Sequence, residues 1–321
     1  MIEPAKGSIV IDVGSNSIKT LALPSHPVAT APFQQTIEVR ISQGMTDQPP
    51  RLHPEAIERA VEAVQTLFSR AREVIPAGPV RIVGTSALRD AENRHLFGQA
   101  VLNTIGHPVE VLSGLQEAQA IAAGLACDPE LQRIKAFTAL DLGGGSLEIV
   151  FRHPDASPSI QFASLDLGAV RLLRLFPPLP NGVFAPSTRQ NIQDYVSQNL
   201  ASNEIHRKLL EAPTLVGTGG AFTISRAILA AKSKIPFGSS SPELALSDLS
   251  KLANELHAIP LDRRVTYPGL PPARADIIPI ALDIIQAVTR TASCQSILHS
   301  SYNLRWGIAS QLNQKLLQPS P

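Results

Sequence analysis

Two short segments rich in glycine and serine carry the clearest chemical signal in the sequence. Each follows an apolar run that contains an aspartate, Asp12 or Asp141, and the two aspartates lie 129 residues apart (141 − 12). Glycine lets backbone N–H groups approach a ligand closely, successive N–H groups bind anions, and an aspartate can hold a hard cation directly or through water. One such turn would be an ordinary hairpin, but two matched copies predict phosphate binding by Gly14, Ser15, Asn16, Ser17, Gly143, Gly144, Gly145 and Ser146.

Two further segments have an anion-binding pattern that is less specific. The first lies between a strand-like run and a helix-like run and consists of Gly217, Thr218, Gly219 and Gly220. Helix N-termini favour anions, so a phosphate or a nucleotide could lie there, although a tight strand-to-helix turn explains the pattern as well. The second contains Gly168 and Arg171, for which anion contact and ordinary turn and surface roles are equally good interpretations.

Arg89 and Glu117 are the candidates for acid–base and transition-state chemistry. Arg89 follows a predicted strand and could fork onto phosphate oxygens, or it could be a surface arginine paired with Asp90 or Glu92. Glu117 lies in the first turn of a predicted helix, where a carboxylate usually complements the helix dipole. From the local pattern alone, a catalytic role for Glu117 is the less common explanation.

Other chemistries lack the residues that they need. The segment Gly14–Thr20 ends like a P-loop but has no glycine before Lys19, and it lies in a hairpin. There is no His-Glu-x-x-His or Cys-x-x-Cys sequence, and the 8 histidines have no zinc-ligand spacing. The segment Gly84–Leu88 lacks the final glycine of a nucleophile elbow.

The elements that must position these residues alternate between strand and helix patterns. In the first half, strands are predicted at Ser8–Val13, Ile18–Leu23, Phe33–Ile41, Val80–Val83 and Val109–Leu112. Helices are predicted from Pro54 on, with an apolar face of Ile57, Val61, Val64 and Phe68, and at Glu92–Ile105 and Leu115–Ala126.

The second half repeats the pattern. Strands are predicted at Ala136–Leu142, Leu147–Phe151, Ser159–Leu165, Pro213–Gly217 and Ser296–Ser300, and helices at Val170–Phe176, Arg189–Leu200, Ala221–Lys232, Ser247–His257, Asp276–Thr291 and Leu304–Leu317. A surface loop is predicted at Pro177–Ser187 and a polar connecting segment at Lys234–Pro242. An internal duplication is therefore expected, in which two similar domains face each other across a cleft that both turns could enter.

Length and composition place limits on the class of protein. The 321 residues suggest two domains, and 44% hydrophobic residues with a net charge of +1 exclude a disordered composition. The balance of 28 basic and 27 acidic residues gives no general attraction to DNA or to a membrane surface. The two cysteines exclude a disulfide framework, and the sequence shows neither a signal peptide nor a membrane span. We expect a cytoplasmic protein that binds neither DNA nor membrane, and a homodimer is left open.

The motifs, taken in order, resemble the exopolyphosphatase / guanosine pentaphosphate phosphohydrolase (Ppx/GppA) phosphatase family over nearly the whole chain. The resemblance implies an α/β fold of the two-lobed actin-like ATPase type (sugar kinase/Hsp70/actin superfamily), with duplicated ribonuclease H-like domains and a central cleft. The expected lobes are 1–125 and 126–321, with helix 304–317 packing back on the first lobe. The segments that carry the resemblance are 11–17, 84–90, Ser113-Gly114-x-x-Glu117-Ala118, 140–148, 217–220 and Arg274-Ala275-Asp276.

The resemblance also implies a reaction. Members hydrolyse terminal phosphoanhydride bonds of polyphosphate, or remove the 5′ γ-phosphate of pppGpp, with Mg²⁺ or Mn²⁺ and a glutamate that activates water. That glutamate matches Glu117, the phosphate-binding arginine matches Arg89, and the carboxylates Asp141 and Glu148 match the metal site. With Asp12, which precedes the first turn, they form the expected metal-ligand set.

The sequence departs from the family pattern near the expected base. The family commonly has Glu-Glu-Ala-Arg where this chain has Gln116, Glu117, Ala118 and Gln119. Leu115 and Ala118 are expected to limit the access of water to Glu117. Two other functions therefore stay open at this point: an ATP-dependent kinase or ATPase of the same superfamily, and a non-catalytic sensor of phosphate or nucleotide.

Overall fold

A computed structural model of the chain describes residues 6–25, 31–45, 48–155, 158–201, 204–292 and 294–317. The strands in these ranges are β1 (Gly7–Val13), β2 (Ser17–Pro24), β3 (Phe33–Glu38), β4 (Val80–Gly84), β5 (Val109–Val111), β6 (Phe137–Leu142), β7 (Leu147–Arg152), β8 (Ile160–Leu165), β9 (Leu215–Thr218), β10 (Glu243–Ala245) and β11 (Ser296–His299). The α-helices are α1 (Pro54–Val74), α2 (Ser86–Asp90), α3 (Arg94–Ile105), α4 (Gly114–Leu125), α5 (Ala169–Leu175), α6 (Pro186–Ala201), α7 (Ile205–Leu210), α8 (Gly220–Lys232), α9 (Leu246–Ala258), α10 (Leu261–Arg264), α11 (Ile278–Ala292) and α12 (Leu304–Leu317).

The chain divides into two compact units. The first unit runs to Pro129 and resumes at Tyr302, and the second unit is Glu130–Ser301. Each unit has its own cluster of buried apolar side chains. The division falls four residues beyond the expected lobe boundary after residue 125, and α12 lies in the first unit, where it packs on α4, β1 and β2.

Both sheets have the same strand order, which confirms the duplication. In the first unit the order is β3-β2-β1-β4-β5, and in the second it is β8-β7-β6-β9-β11, with β10 added at the edge beside β11. In each unit the first three strands pair antiparallel, the fourth strand pairs parallel with the first, and the fifth pairs parallel with the fourth.

The parallel strands bring the predicted motifs of each unit to one edge of its sheet. In the first unit, the loop after β1 emerges beside Thr85, whose N–H donates to Val13 O at 3.2 Å, and β5 leads directly into Ser113. In the second unit, the loop after β6 emerges beside Gly219, because Asp141 and Thr218 are partners across β6 and β9. Ligands of open α/β sheets bind at the carboxyl ends of the strands.

Three predicted elements differ from the structure. The expected strand Phe33–Ile41 stops at Glu38, because the next residues turn to hydrogen-bond the loop after β1. The expected helix Glu92–Ile105 begins two residues later, as α3 at Arg94, because the Asn93 side chain pairs with both backbone groups of Leu52; the short helix α2 before it was not predicted. Pro177–Ser187 is not wholly a surface loop, because Phe184 is buried and α6 already begins at Pro186.

The apolar face of α1 is rotated from its expected position. Only Val64 of the four predicted residues is fully buried, and the other three pack at the margin of the core. The buried stripe is made mainly of alanines, because small side chains bring a helix close to a sheet: Ala56, Ala60, Ala63, Val64, Leu67 and Ala71. The sequence patterns also missed α7, α10 and β10. In the part of the chain that the structure describes, no helix is long and apolar enough to cross a membrane.

Two glycines bring α4 and α12 into close contact. A Cβ on Gly124 would lie 1.9 Å from Asn303 O, and a Cβ on Gly307 would lie 2.0 Å from Ala120 O and 2.7 Å from Gly124 N. These atoms belong to the backbone and cannot rotate away. The contact therefore requires glycine on both helices, and it holds the C-terminal helix on the first unit.

Gly307→Ala should lower the free energy of unfolding by about 1–3 kcal/mol, because the added methyl group overpacks this helix contact. Gly98→Ala is the matched control. Gly98 lies inside α3, and a Cβ there meets nothing within 4 Å. The control should be stabilised by about 0.5–1 kcal/mol through helix propensity alone. Urea unfolding of both variants tests the contact, and equal effects of the two substitutions would contradict it.

Candidate functional site

The loop Gly143–Ser146 is held through its carbonyl groups. Gly143 O accepts from Ala169 N at 3.0 Å. Gly144 O accepts from Val170 N at 2.8 Å and from Arg171 N at 3.0 Å. The Arg171 side chain donates from Nε to Gly145 O at 2.9 Å. The first turn of α5 thus places its own N–H groups on the loop. Arg171 contacts the loop through Nε and pairs with Asp166 Oδ1 through Nη2 at 3.3 Å.

The loop Gly14–Ser17 is held in the corresponding way by the segment that follows β3. Asn16 O accepts from Val39 N at 3.1 Å and from Arg40 N at 2.8 Å. Ser15 O accepts from both the N–H and the hydroxyl of Ser42, at 3.2 and 3.1 Å. Arg40 has a φ of +54°, a conformation that costs energy for a residue with a side chain, and it allows the chain to turn onto the loop.

In contrast to the carbonyl groups, the N–H groups of the two loops are only partly used in hydrogen bonds within the described residues. Gly14 N and Gly143 N close their hairpins by donating to Ser17 O and Ser146 O, at 3.1 and 3.0 Å. The next two N–H groups in each loop have no acceptor among the described residues; they belong to Ser15, Asn16, Gly144 and Gly145. Consecutive N–H groups without acceptors beside clamped carbonyls are the arrangement that binds an anion.

Gly168 sets how closely α5 approaches this loop. A Cβ at Gly168 would lie 2.2 Å from the carbonyl carbon of Gly145 and 2.4 Å from that of Gly144. No other residue fits there without moving the loop backbone. The glycine noted in the sequence therefore has a packing role.

A row of polar side chains crosses the second sheet beneath its loop. Glu148 is the register partner of Asp141 across β6 and β7, Thr218 is the partner of Asp141 on the other side, and Ser164 is the partner of Glu148. Register partners share a face of the sheet, so the two carboxylates lie side by side. Glu148 is buried and accepts from the Ser164 hydroxyl at 2.9 Å. Two neighbouring carboxylates with little solvent favour a bound cation.

The first unit has a different pair at the same two positions. Asp12 is paired with Lys19 across β1 and β2, so a basic side chain stands where the second unit has Glu148. Asp12 Oδ1 is buried and has no hydrogen-bond partner among the described residues. Burial raises the pKa of Asp12, and the positive charges of Lys19 and Arg305 oppose that rise.

Arg89 and Glu117 form an ion pair at the edge of the first sheet. Arg89 Nη1 donates to Glu117 Oε2 at 3.0 Å and to Leu112 O at 2.9 Å. The Glu117 side chain is 10% exposed and the Arg89 side chain 25%. Glu92, one of the partners considered for Arg89, instead pairs with Arg51. The guanidinium therefore orients the Glu117 carboxylate.

The departure from the family pattern at Gln116 has a structural explanation. Ser113 Oγ accepts from Gln116 N at 3.2 Å, and Gln116 Oε1 accepts from Ser113 N at 2.8 Å, which is a capping box at the start of α4. Glutamate and glutamine serve equally in this motif. Ala118 is buried as expected, but Leu115 is 55% exposed, so its expected role in limiting water at Glu117 is wrong.

The glycine-rich segment before α8 packs against Asp141. Gly219 has a φ of +89°, and a Cβ there would lie 2.2 Å from Asp141 Oδ1. A Cβ at Gly220 would lie 3.7 Å from Arg274 Nη1, so an arginine accompanies the N-terminus of α8. The first N–H groups of a helix have no intrahelical acceptor. This end of α8 therefore offers positive potential next to the carboxylate pair.

A hydrogen-bonded relay that the sequence patterns missed orients the Gly219 carbonyl. Arg226 Nη1 lies 3.3 Å from His299 Nδ1, and His299 Nε2 lies 3.0 Å from Thr223 Oγ1. Because arginine can only donate, Nδ1 accepts and Nε2 donates to the hydroxyl. Thr223 Oγ1 in turn donates to Gly219 O at 3.0 Å. His299 lies 73 positions from Arg226 and 76 from Thr223, so no local motif marks the relay.

The polar side chains on the sheet of the second unit have the donor atoms that a hard cation prefers. Asp141, Glu148, Thr218 and Ser164 offer only side-chain oxygens, which Mg²⁺ prefers. Within the described ranges no group of three or more His, Cys, Asp or Glu residues could hold a metal. A cation at this pair would complete its ligands with water and substrate oxygens, as Mg²⁺ usually does.

The fold and the match to known sequences define the class of protein. The duplicated strand order is the two-domain α/β architecture expected from the sequence, and solved structures share the fold over nearly the whole chain. Residues 26–316 match the Ppx/GppA phosphatase family, and the chain belongs to that family. It is 24% identical to the crystal structure of an exopolyphosphatase from Cytophaga hutchinsonii, with a TM-score of 0.82 over 97% of this chain and 98% of the other.

Two curated relatives carry different activity names. The chain is 29% identical to exopolyphosphatase 2 of Mycobacterium tuberculosis (strain CDC 1551 / Oshkosh), over 94% of this chain and 97% of that protein. It is 27% identical to the guanosine-5'-triphosphate,3'-diphosphate pyrophosphatase of Vibrio vulnificus (strain YJ016), over 96% of this chain. It spans 59% of the length of the Vibrio protein.

Asp12→Asn should make the protein more stable at pH 7, because the raised pKa of Asp12 means that folding disfavours its charged form. The stability deficit of the wild type should disappear as the pH falls below the ordinary value of 3.8, where Asp12 is protonated in both states. Urea unfolding between pH 3 and 8 without divalent metal measures this difference, with Asp155→Asn, an exposed site, as control. An Asn variant less stable than wild type at pH 7 would contradict the account.

Proposed function

We propose that this protein hydrolyses terminal phosphoanhydride bonds of inorganic polyphosphate, or the 5′ γ-phosphate bond of pppGpp. The observation that carries the proposal is the pair of loops whose carbonyls are clamped and whose N–H groups have no acceptor. Phosphoryl transfer depends mainly on positioning and on stabilising spread negative charge, and such N–H groups supply both. Both substrates accord with the names of the relatives.

The phosphate-binding residues of the proposal are those of the two hairpin loops and of the segment 217–220. The loops contribute N–H groups, and the start of α8 contributes helix-terminal N–H groups beside Arg274. Because Arg171 and Gly168 fix the loop of the second unit, they act as positioning residues.

Glu117 is the proposed general base. Its carboxylate is mostly buried and is oriented by Arg89, which suits a group that must take a proton from a positioned water. Arg89 Nη1 is committed to Glu117 and Leu112 O, so any contact with phosphate falls to the other guanidinium nitrogens. The glutamine at position 116 serves the helix cap, and its presence therefore gives no ground for a non-catalytic sensor.

Asp141 and Glu148 are the proposed ligands of Mg²⁺ or Mn²⁺. When bound, such a cation neutralises charge on the reacting phosphate and helps to orient it. The chain's own contribution is to hold two carboxylates side by side, with Ser164 fixing one of them. Asp12 is included because its buried Oδ1 has no partner among the described residues, and Lys19 makes it the weaker cation ligand.

Glu117→Gln should lower kcat by about two to four orders of magnitude with little change in KM, because the variant keeps the shape of the side chain and removes the base. Phosphate release from polyphosphate and from pppGpp is measured, together with ATP as a third substrate. Gln116→Ala is the matched control on the same helix turn. It should cost about 1 kcal/mol of stability through the lost cap and leave kcat within a few-fold. A folded Glu117→Gln enzyme with normal kcat would refute the assignment.

Glu148→Gln should raise the Mg²⁺ concentration needed for half-maximal activity by tenfold or more, because one of two adjacent carboxylates loses its charge. The measurement is a Mg²⁺ titration at saturating substrate, with circular dichroism to verify folding. Glu58→Gln, at an exposed position of α1, is the control. An unchanged Mg²⁺ dependence in Glu148→Gln would remove this residue from the metal site.

A further inference from the structure

A polar pocket of about 300 Å³ lies between α6, α9 and α11 of the second unit, and none of the candidate site residues lines it. Its wall contains two arginines and four side-chain amides and no carboxylate; they are Arg189, Arg290, Gln190, Gln193, Asn254 and Gln286. A surface of this composition offers mainly hydrogen-bond donors and positive charge.

Arg189 is held in the wall by a buried carboxylate. Its Nε and Nη2 lie 3.4 and 3.3 Å from Asp283 Oδ1, and its Nη1 donates to Asn254 Oδ1 at 2.8 Å. Asp283 has no exposed surface and does not line the pocket. Its charge offsets that of Arg189 and leaves one further arginine as the second cation of the wall, while the Gln190 amide donates to Asp194 Oδ1 at 2.8 Å.

Arg290 supplies the charge that is not offset. Its Nη1 donates to Gln193 Oε1 at 2.7 Å, and this contact orients the guanidinium against α6. Its remaining nitrogens have no partner among the described residues. A planar guanidinium with open donors is suited to the oxygens of a phosphate.

Gln286 provides the second observation that points to a ligand. Its side chain lines the pocket, the residue is only 4% exposed, and the buried Nε2 has no hydrogen-bond partner among the described residues. A buried donor without an acceptor is costly to a fold, and rotation of the terminal amide would present this donor to an acceptor oxygen in the pocket.

We propose that this pocket binds a phosphate-type oxyanion, either inorganic phosphate or the terminal group of a short polyphosphate. Arg290 and Gln286 donate to the anion, and Arg189 adds positive charge. The site is separate from the loops that carry the proposed reaction. It would give the protein a means to sense phosphate whether or not the chain is a hydrolase.

The test is equilibrium dialysis with radiolabelled inorganic phosphate, which requires no turnover. We expect the wild type to bind one more phosphate per chain than Arg290→Gln or Gln286→Met. If the variants still bind this phosphate, we expect their affinity for it to be at least tenfold lower than that of the wild type. Arg263→Gln, an exposed arginine of the same unit, is the control and should match the wild type. Equal stoichiometry and affinity in all four proteins would overturn the proposal.

Thermal unfolding gives an independent readout of the role of Gln286. Without phosphate, Gln286→Met should keep or raise the Tm, because an apolar side chain removes the unsatisfied donor. Added phosphate should then raise the Tm of this variant less than that of wild type. If Gln286→Met fails to fold, the exposed Arg290→Gln carries the test alone.

A second ligand distinguishes the two sources of the oxyanion. If tripolyphosphate binds the pocket tenfold more tightly than phosphate, the ligand is the terminal group of a polyphosphate chain. If it binds equally or more weakly, the ligand is free phosphate. Neither the dialysis nor the thermal unfolding depends on polyphosphate hydrolysis, so the outcome of the Glu117→Gln experiment does not affect them. Failure of the hydrolase assignment and failure of the pocket are therefore seen separately.

Discussion

In each unit, donors that follow the third strand hold the carbonyl groups of one hairpin loop, and the rest of the site depends on this interaction. It explains why β3 ends at Glu38 and why Gly168 cannot carry a side chain. Once the carbonyls are occupied, the neighbouring N–H groups have no acceptor among the described residues. A flexible loop would spread these donors over many orientations, whereas a clamped loop presents them together without further ordering.

The two units share a backbone plan and differ in charge at one pair of positions. Lys19 follows Asp12 by seven positions, and Glu148 follows Asp141 by seven, so the two pairs are equivalent. The first pair joins an acidic and a basic side chain, and the second places two acidic side chains side by side on one face of the sheet. The two copies of the fold therefore carry one pair of opposite charges and one pair of like charges at equivalent positions.

Much of the fold was predictable, because hydrophobic periodicity and glycine turns are local signals. The hairpins, their duplication and the helix at Leu304–Leu317 follow from them, as do the loop residues of the candidate site. Contacts between distant residues were not predictable. The Arg89–Glu117 pair spans 28 positions, and the relay through His299 has no motif. The short helix α10 was missed because fully buried Arg264 holds it, through carbonyls that include Gly182 O, 82 residues away.

The central claim is that the clamped loops bind phosphate oxygens through their N–H groups. Two-dimensional ¹H–¹⁵N spectra of the Glu117→Gln variant, titrated with tripolyphosphate and Mg²⁺, test it most directly. We expect large, saturable downfield proton shifts for the N–H groups of Ser15, Asn16, Gly144 and Gly145, and small shifts for Gly98, which lies inside α3. Saturation of binding with these four signals unmoved would contradict it.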